Sequence, residues 1–498
     1  MAGIKSLAKD TAIYGTSSIL GRFLNWCLVP MYTRVFPEAQ YGIVTNLYAY
    51  VAILLVILIY GMETGFFRFT NHERWENPMQ VYSTSLISLL TTSSVFIFAV
   101  CLLSPEIAGA LGPRVQTSYV WMLGVTIGID AFTAIPFSYM RYKKRPIRFA
   151  TLKFINIGLN IGLNLFFILL CPWLWTRCPG LISWFYSPTF GIGYIFLANL
   201  ISSIVTLLMV TPELRVPFKF NGKLLKEMLV YSFPLLILGA AGLMNQTIDK
   251  ILFPFLYDNK ALADEQLGIY GANYKIAIVM VMFTQAFRFA YEPFIFAKSK
   301  GESVEQRKKS YSDAMKYFII FSLFIFLGVM FYLDIIKHFI GSGYTEGIKV
   351  VPIVMLAELF FGVFFNLSLW YKLTDKTIWG TWFSLMGLAV TVVGNVLFVP
   401  RYGYIACAWS AFASYGFMMV ISYLVGQKKY PIKYNLPRIA IYVISAMALY
   451  LVAIVATTDS AILNYAIRTV LLALYIAVVF RFENPLAYLR HKKAPDKL

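Results

Sequence analysis

Residues 41–67 read YGIVTNLYAYVAILLVILIYGMETGFF, and the reading of this stretch decides the class of fold. Its only charged side chain is Glu63. A helix on the surface of a soluble domain shows a polar face every 3.6 residues, and Val51–Ile59 shows none. At 1.5 Å per residue, about twenty such residues cross about 30 Å of hydrocarbon. Similar blocks recur along the chain, for example around Phe318–Leu333.

Composition makes the same point for the whole chain. Hydrophobic residues are 59% of 498 and charged residues 13%, against roughly 45–50% and about 25% in soluble domains. Water cannot surround that much apolar side chain, but lipid can. We place spans 1 to 14 at 11–35, 42–68, 81–104, 115–140, 150–172, 191–211, 229–256, 267–294, 313–333, 350–373, 379–400, 405–425, 438–457 and 464–482. The expectation is an all-α polytopic membrane protein of about fourteen transmembrane helices, with no soluble domain in its short connections. The longest connection, Trp173–Phe190, is rich in Trp, Tyr and Pro and is expected to lie along the interface. Thr11–Val35 is too long for a cleavable signal peptide and contains Arg22.

Orientation follows from the lysines and arginines. With the N-terminus inside, only Arg34, Arg114, Arg177, Lys260, Lys337, Lys349 and Arg401 fall on outside segments. The inside segments hold the dense runs, among them Arg141–Arg145, Lys298–Lys309, Lys428-Lys429 and Arg490–Lys493. That is the positive-inside pattern, and an even number of spans puts both termini in the cytoplasm. It accounts for most of the +19 net charge. The charges are scattered over short segments, so anionic lipid headgroups, not nucleic acid, are the expected counter-charge. Five cysteines do not make a disulfide scaffold in a chain this size, although Cys171 and Cys178 flank one outside loop. The three histidines have no ligand spacing, no nucleotide-binding glycine loop occurs, and neither a metal nor a cofactor is expected.

The two halves echo each other. Asn164-Leu165-Phe166-Phe167-Ile168 near the end of span 5 matches Asn395-Val396-Leu397-Phe398-Val399 near the end of span 11. Each is followed by an outside turn and Gly-Tyr-Ile, at 193–195 and at 403–405. Phe67-Arg68-Phe69 closes span 2, and Phe287-Arg288-Phe289 falls late in span 8. Two pseudo-symmetric six-helix bundles are therefore expected, at 1–211 and 229–425, joined by a cytoplasmic linker at 212–228. A terminal helix pair at 426–482 and a basic tail at 483–498 complete the chain.

Ile248-Asp249-Lys250 with Leu267–Lys275 resembles the seventh and eighth helices of polysaccharide-exporting flippases. Asn395–Ile405 is similar to their eleventh and twelfth, and Pro37–Gly42 to their first turn. These belong to the multidrug/oligosaccharidyl-lipid/polysaccharide superfamily, with its O-antigen flippases, lipid II flippases and drug-extruding antiporters. The resemblance runs from about Lys5 to Lys433. It implies a two-lobed fold in a bacterial cytoplasmic membrane and, as cargo, an undecaprenyl-diphosphate-linked saccharide moved to the outer leaflet. Partners of that reading are membrane lipids and the polymerase and glycosyltransferases of surface polysaccharide synthesis, O-antigen of lipopolysaccharide among them.

Ionisable residues deep in spans are costly unless they face a watery cavity or a partner. By distance from the nearest span end, Arg22 lies about 16 Å deep, Asp130 about 15 Å, Lys275 and Glu358 about 12 Å, Asp249 and Lys250 about 10 Å, and Arg288 about 9 Å. Arg22 and Asn25 share a face of span 1; Tyr274, Gln285 and Arg288 share one on span 8; Asn245 and Asp249 share one on span 7. The candidate substrate-binding residues are thus Arg22, Asn25, Asn245, Lys250, Tyr274, Lys275, Gln285 and Arg288. The candidate ion-coupling acids are Asp130, Asp249 and Glu358. Each has a plainer reading: Asp249 and Lys250 as an interface pair, Arg288 neutralised by Glu292, Arg22 by Asp130 or Asp249, and small polar stripes as packing surfaces. A drug or metabolite cation antiporter is the competing transporter, but span 1 offers Arg22 and no mid-span acid. A membrane polymerase or ligase would need acids or histidines in its outside loops, and Trp173–Phe190 has neither. A non-enzymatic transporter is the expectation.

Overall fold

The computed structural model describes residues 20–71, 75, 77–217, 219–298, 303–374 and 376–483. All regular structure among them is helical. Among the described residues twelve helices are long and apolar enough to cross a membrane, and they coincide with spans 2–5 and 7–14. Span 6 is the shorter helix Gly193–Met209. The described part of span 1 is helical at 20–26 and again at Val29–Val35. The expected fold class is borne out. Helix starts follow local chemistry. Asn77 accepts from the amides of Met79 and Gln80 with Pro78 in the first turn, and Asn221 does the same for Lys223 and Leu224. Ser303 and Gln306 form a reciprocal capping box before span 9. Helix Gly222–Leu256 begins inside the segment read as linker.

The chain divides into two compact units, residues 1–272 with 380–410, and residues 273–379 with 411–498. In the first, span 4 (Thr117–Tyr142) is the central post, with most of its length buried. Gly124 and Gly128 let it close on Val100 and Ile97 of span 3, where a Cβ would collide. Spans 2 and 8 of this unit meet at their N-terminal ends through glycine. A Cβ on Gly42 would land on the carbonyl oxygen of Asp264, and one on Gly268 on that of Glu38. The contact is reciprocal: each glycine faces the backbone carbonyl of the residue four positions before the other glycine, Glu38 and Asp264. With no side chain in the way, Cα–H groups face carbonyl oxygens directly. Span 2 itself breaks at Tyr60 and Gly61, both left-handed (φ 38° and 71°), into Glu38–Ile59 and Met62–Phe69.

In the second unit, span 9 (Val304–Phe331) packs against spans 10, 13 and 14. Its Lys316 ammonium lies 2.6 Å from Glu483 at the end of span 14, and both side chains are buried. Tyr442 of span 13 and Tyr317 also donate to this carboxylate, at 2.6 and 3.2 Å, and Arg438 lies 3.6 Å away. One carboxylate thus ties the terminal helix pair to span 9. A buried ion pair survives in such a place because its remaining lone pairs are satisfied.

Candidate functional site

The charges expected inside the membrane separate into distinct settings. In the first unit, Asp130 of span 4 opens onto a polar cavity of about 380 Å³. Its Oδ1 accepts a 2.7 Å hydrogen bond from Ser203 of span 6. Lys153 of span 5 lines the same cavity with its ammonium 4.1 Å from the centre of the Phe137 ring. Toward the C-terminal end of span 4, Arg141 lies 3.6 Å from Glu63 and donates to Ser138 at 3.0 Å, while Ser138 donates to Glu63 at 3.4 Å. The cavity therefore holds two acids and two bases among hydroxyls and amides, an unusual lining within apolar helices.

A ladder of asparagines leads away from it along span 5. Asn156 donates to Thr206 at 2.8 Å, Asn160 to Asn199 at 2.6 Å, and Asn164 to Asn160 at 3.1 Å. Tyr32 donates to Asn164 at 2.9 Å, and Asn199 donates to Tyr48. Sequence reasoning singled out Asp130 and missed Lys153, Asn156 and Ser203 as its neighbours. The signal was present: Lys153, Asn156, Asn160 and Asn164 recur at three- and four-residue spacing, one face of a helix.

Asp249 and Lys250, also in the first unit, satisfy each other. The ammonium is 3.1 Å from Asp249 Oδ1 and donates to the Gln246 carbonyl at 2.9 Å, while Tyr270 donates to Asp249 Oδ2 at 2.8 Å. The Lys250 carbonyl accepts from Asn46 at 2.7 Å, which binds span 2 to span 7. Asn245 is buried and donates to the Ser384 carbonyl at 2.8 Å, and Thr391 donates to its oxygen at 3.4 Å. Arg22 and Asn25 are exposed, one helical position or more away from Gly21, which abuts Ile157 of span 5. Neither Asp130 nor Asp249 forms an ion pair with Arg22; their described partners are Ser203 and the Lys250–Tyr270 pair.

In the second unit, Tyr274 donates to Glu358 at 2.6 Å. The Arg288 guanidinium sits 5.1 Å from the Phe365 ring centre and is exposed, whereas Lys275 and Gln285 are half-buried. The side chain of Glu292 lies outside the described residues. A separate apolar groove of about 290 Å³ runs between spans 9, 10, 12 and 13, lined by Met315, Ile319, Phe360, Val420, Ile439 and Val443 among others. No charged residue lines it. Among the described residues no cluster of His, Cys, Asp and Glu could hold a metal ion. Cys171 is buried, Cys178 exposed, and both are free thiols.

No curated protein matches this sequence. Solved structures do match its fold. A structure titled lipid II flippase MurJ, inward closed conformation, superposes with a TM-score of 0.73 at 13% identity, covering 93% of this chain and 98% of that one. An inward-facing multidrug resistance MATE family transporter of the MOP superfamily superposes with 0.65 at 14% identity, covering 82% and 94%. A MATE structure in a straight conformation gives 0.59 at 14%, covering 85% and 95%. At these identities the likeness establishes the fold, an all-α architecture shared with a flippase structure and with MATE structures. The sequence itself matches the profile of the polysaccharide biosynthesis protein family over residues 7–296. Its fold is like that of the lipid II flippase MurJ and of the multidrug resistance MATE transporters, and the chain belongs to the polysaccharide biosynthesis protein family.

Proposed function

We propose that this protein flips an undecaprenyl-diphosphate-linked oligosaccharide across the bacterial cytoplasmic membrane by alternating access of bundles 1–211 and 229–425. The observation that carries the reading is the charge-free groove of the second unit, to which span 13 contributes Leu436, Ile439 and Val443. An apolar trough lined by branched and sulfur-bearing side chains suits a polyprenyl chain, and a small hydrated cation has no use for it. Family membership and the flippase-like fold support the same cargo class.

The diphosphate is the costly part of that cargo in hydrocarbon. Arg22, with Lys275 and Arg288, supplies the cations for it, because a guanidinium meets phosphate oxygens bidentately and stays charged. Asn25 and Gln285 line the path of the saccharide. Asn245 and Tyr274 spend their polar atoms on helix–helix contacts, and the Lys250 ammonium is held by Asp249 and the Gln246 carbonyl of its own helix, so they act by holding the site's walls. Of the three acids, Asp249 has an ammonium beside it and Glu358 a phenol. Asp130, facing a polar cavity, is the coupling acid. Polymerase and glycosyltransferases then act on the product outside and supply the substrate inside.

The test is translocation of the lipid-linked saccharide in proteoliposomes, read by access of an added glycosidase to the outer leaflet. Arg22→Ala is expected to abolish flipping at normal membrane abundance, and Arg22→Lys to leave part of it. Asp130→Asn is expected to remove stimulation by an imposed gradient. The competing reading, cation antiport, predicts gradient-driven movement of an organic cation instead. Cation movement without saccharide translocation, or full flipping by Arg22→Ala, overturns the proposal.

A further inference from the structure

Beyond the groove and the Asp130 cavity, the first unit carries a third recess, at the end of the bundle that the charge pattern places outside. It is a wide-open depression of about 470 Å³ between the start of span 4, the 183–190 segment and the start of span 6. That volume is in the range of small-molecule pockets. Its walls include Trp184, Phe185, Tyr186, Phe190, Gln116 and the Ser187–Thr189 pair, and none of its lining residues is charged.

The recess is rigid by construction. Phe167, Tyr194 and Tyr186 form a stacked column with ring centres 4.9 and 5.0 Å apart and planes within 17°. The Tyr194 hydroxyl accepts from the Ser187 amide at 2.7 Å and donates to its carbonyl at 3.3 Å. Tyr119 donates to the Phe190 carbonyl at 3.3 Å, and Gly191, at φ +53°, turns the chain into span 6. Above this base Trp184 is 82% exposed. Its indole is oriented by a 3.1 Å hydrogen bond to the Leu181 carbonyl and by edge contact with Phe185 at 4.8 Å. Beside it, the Ser187 and Thr189 hydroxyls are 2.8 Å apart and exposed, as is the Gln116 amide.

We infer that this recess is an outer-face saccharide site, taking the neutral sugar rings of the cargo once they have crossed. The inference rests on the flippase reading and its topology. Its chemistry is that of carbohydrate binding: an exposed indole face for the C–H face of a pyranose, with hydroxyls and an amide that both donate and accept for sugar hydroxyls. The absence of charge from the lining separates it from any site for the diphosphate, and oriented aromatic rings bind at low entropic cost. An aromatic belt residue would also show an exposed Trp, but belt anchoring needs no concave floor lined with hydroxyls.

The probe is the free oligosaccharide released by mild acid from the cell's own lipid-linked pool. It is titrated by calorimetry against the full-length protein in nanodiscs. Trp184→Ala and, independently, Gln116→Ala should each weaken binding about three- to tenfold. In sealed right-side-out vesicles the probe should protect a cysteine at Thr189 from an impermeant thiol reagent. Unchanged affinity in both variants, or quenching of Trp184 fluorescence by brominated acyl chains to the same degree with and without saccharide, overturns the site and identifies an interfacial anchor. Translocation by the unaltered protein is measured in parallel. If it fails while the saccharide still binds in a Trp184-dependent way, the flippase reading falls and the saccharide site stands. If translocation proceeds and neither variant changes affinity, the reverse holds.

Discussion

The glycine crossing of spans 2 and 8 makes a quantitative prediction about which side of the protein is open. Replacing Gly268 by alanine puts a methyl group onto the Glu38 carbonyl, and 2.9 Å from the Gly42 amide nitrogen. Carbon and oxygen do not approach closer than about 3.3 Å even in a Cα–H···O contact, so the helices must part by on the order of 1 Å. Neither side can yield, since both clashing atoms are backbone. Overpacking of this kind costs about 1–3 kcal/mol. The cost falls only on the conformation in which the outside ends touch, so the outside-closed population should drop roughly 5- to 150-fold relative to the outside-open one. A reporter cysteine at Thr45, one turn below the crossing, in a chain lacking Cys27, Cys101, Cys171, Cys178 and Cys407, reads this directly. Its labelling by an impermeant thiol reagent from outside should accelerate by that factor in Gly268→Ala and in Gly42→Ala. The double variant should add little, because the first methyl has already parted the helices. Labelling rates equal to those of the glycine chain, or strictly additive effects, would falsify the crossing as an outside gate.

Other expectations are independent of the gate. Glu483→Gln strands the Lys316 ammonium in a buried setting and should cost about 3–5 kcal/mol, seen as a fall in detergent melting temperature; Lys316→Met added to it should recover most of the loss. Cysteines at Lys260 and Lys349 should label from outside, while those at Lys144, Lys308 and Lys429 should label only after permeabilisation; outside labelling at Lys308 would reverse the topology. A hydrogen bond from Arg468, then its charge and that of Lys337, holds the Asp334 carboxyl below the usual carboxylate range against partial burial. The folded-state value is depressed, so the stabilisation is present above the unfolded pKa and fades as pH falls through the folded one. Because Asp334 is about half exposed, the melting difference between the unaltered chain and Asp334→Asn should be small at pH 7, under about 1 kcal/mol. It should vanish in acid.

The spans were legible because hydrocarbon imposes a length and forbids charge, and both leave their mark residue by residue. What was not legible came from contacts distant in sequence. The break at Tyr60–Gly61 has a glycine to announce it, but nothing in the sequence puts Tyr60 at φ 38°. Trp173–Phe190, expected along the interface, contains the end of a short helix, Cys171–Arg177, that continues span 5, and its Ile182 and Tyr186 pack into a core with Cys171 that no local pattern announces. Depth counted along a helix found Asp249 and Lys250 without showing that the lysine stem curls back to its neighbour. Successive helical positions point about 100° apart, and only a side chain as long as lysine closes that gap. Asp130 was found by depth alone, while its surroundings, Ser203 and Lys153, come from other helices. The asparagine stripe of span 5 could have been read as a polar face, but its partners, Asn199, Thr206 and Tyr32, are set by packing.

The knot at Glu483 has a bearing on how the chain is made. Lys316 is synthesised 167 residues before the carboxylate that meets it at 2.6 Å. Until span 14 is in place, the only carboxylate described beside the ammonium is Asp313, one turn earlier at 3.6 Å and half exposed, with the Tyr317 ring centre 4.8 Å away. A nascent or truncated chain therefore sits in the membrane with an undercompensated cation in span 9 and two tyrosines, 317 and 442, lacking their acceptor. Only when span 14 packs beside span 9 do the ammonium and both phenols gain their acceptor, so the terminal helix is a structural part of this unit and not an appendage to it.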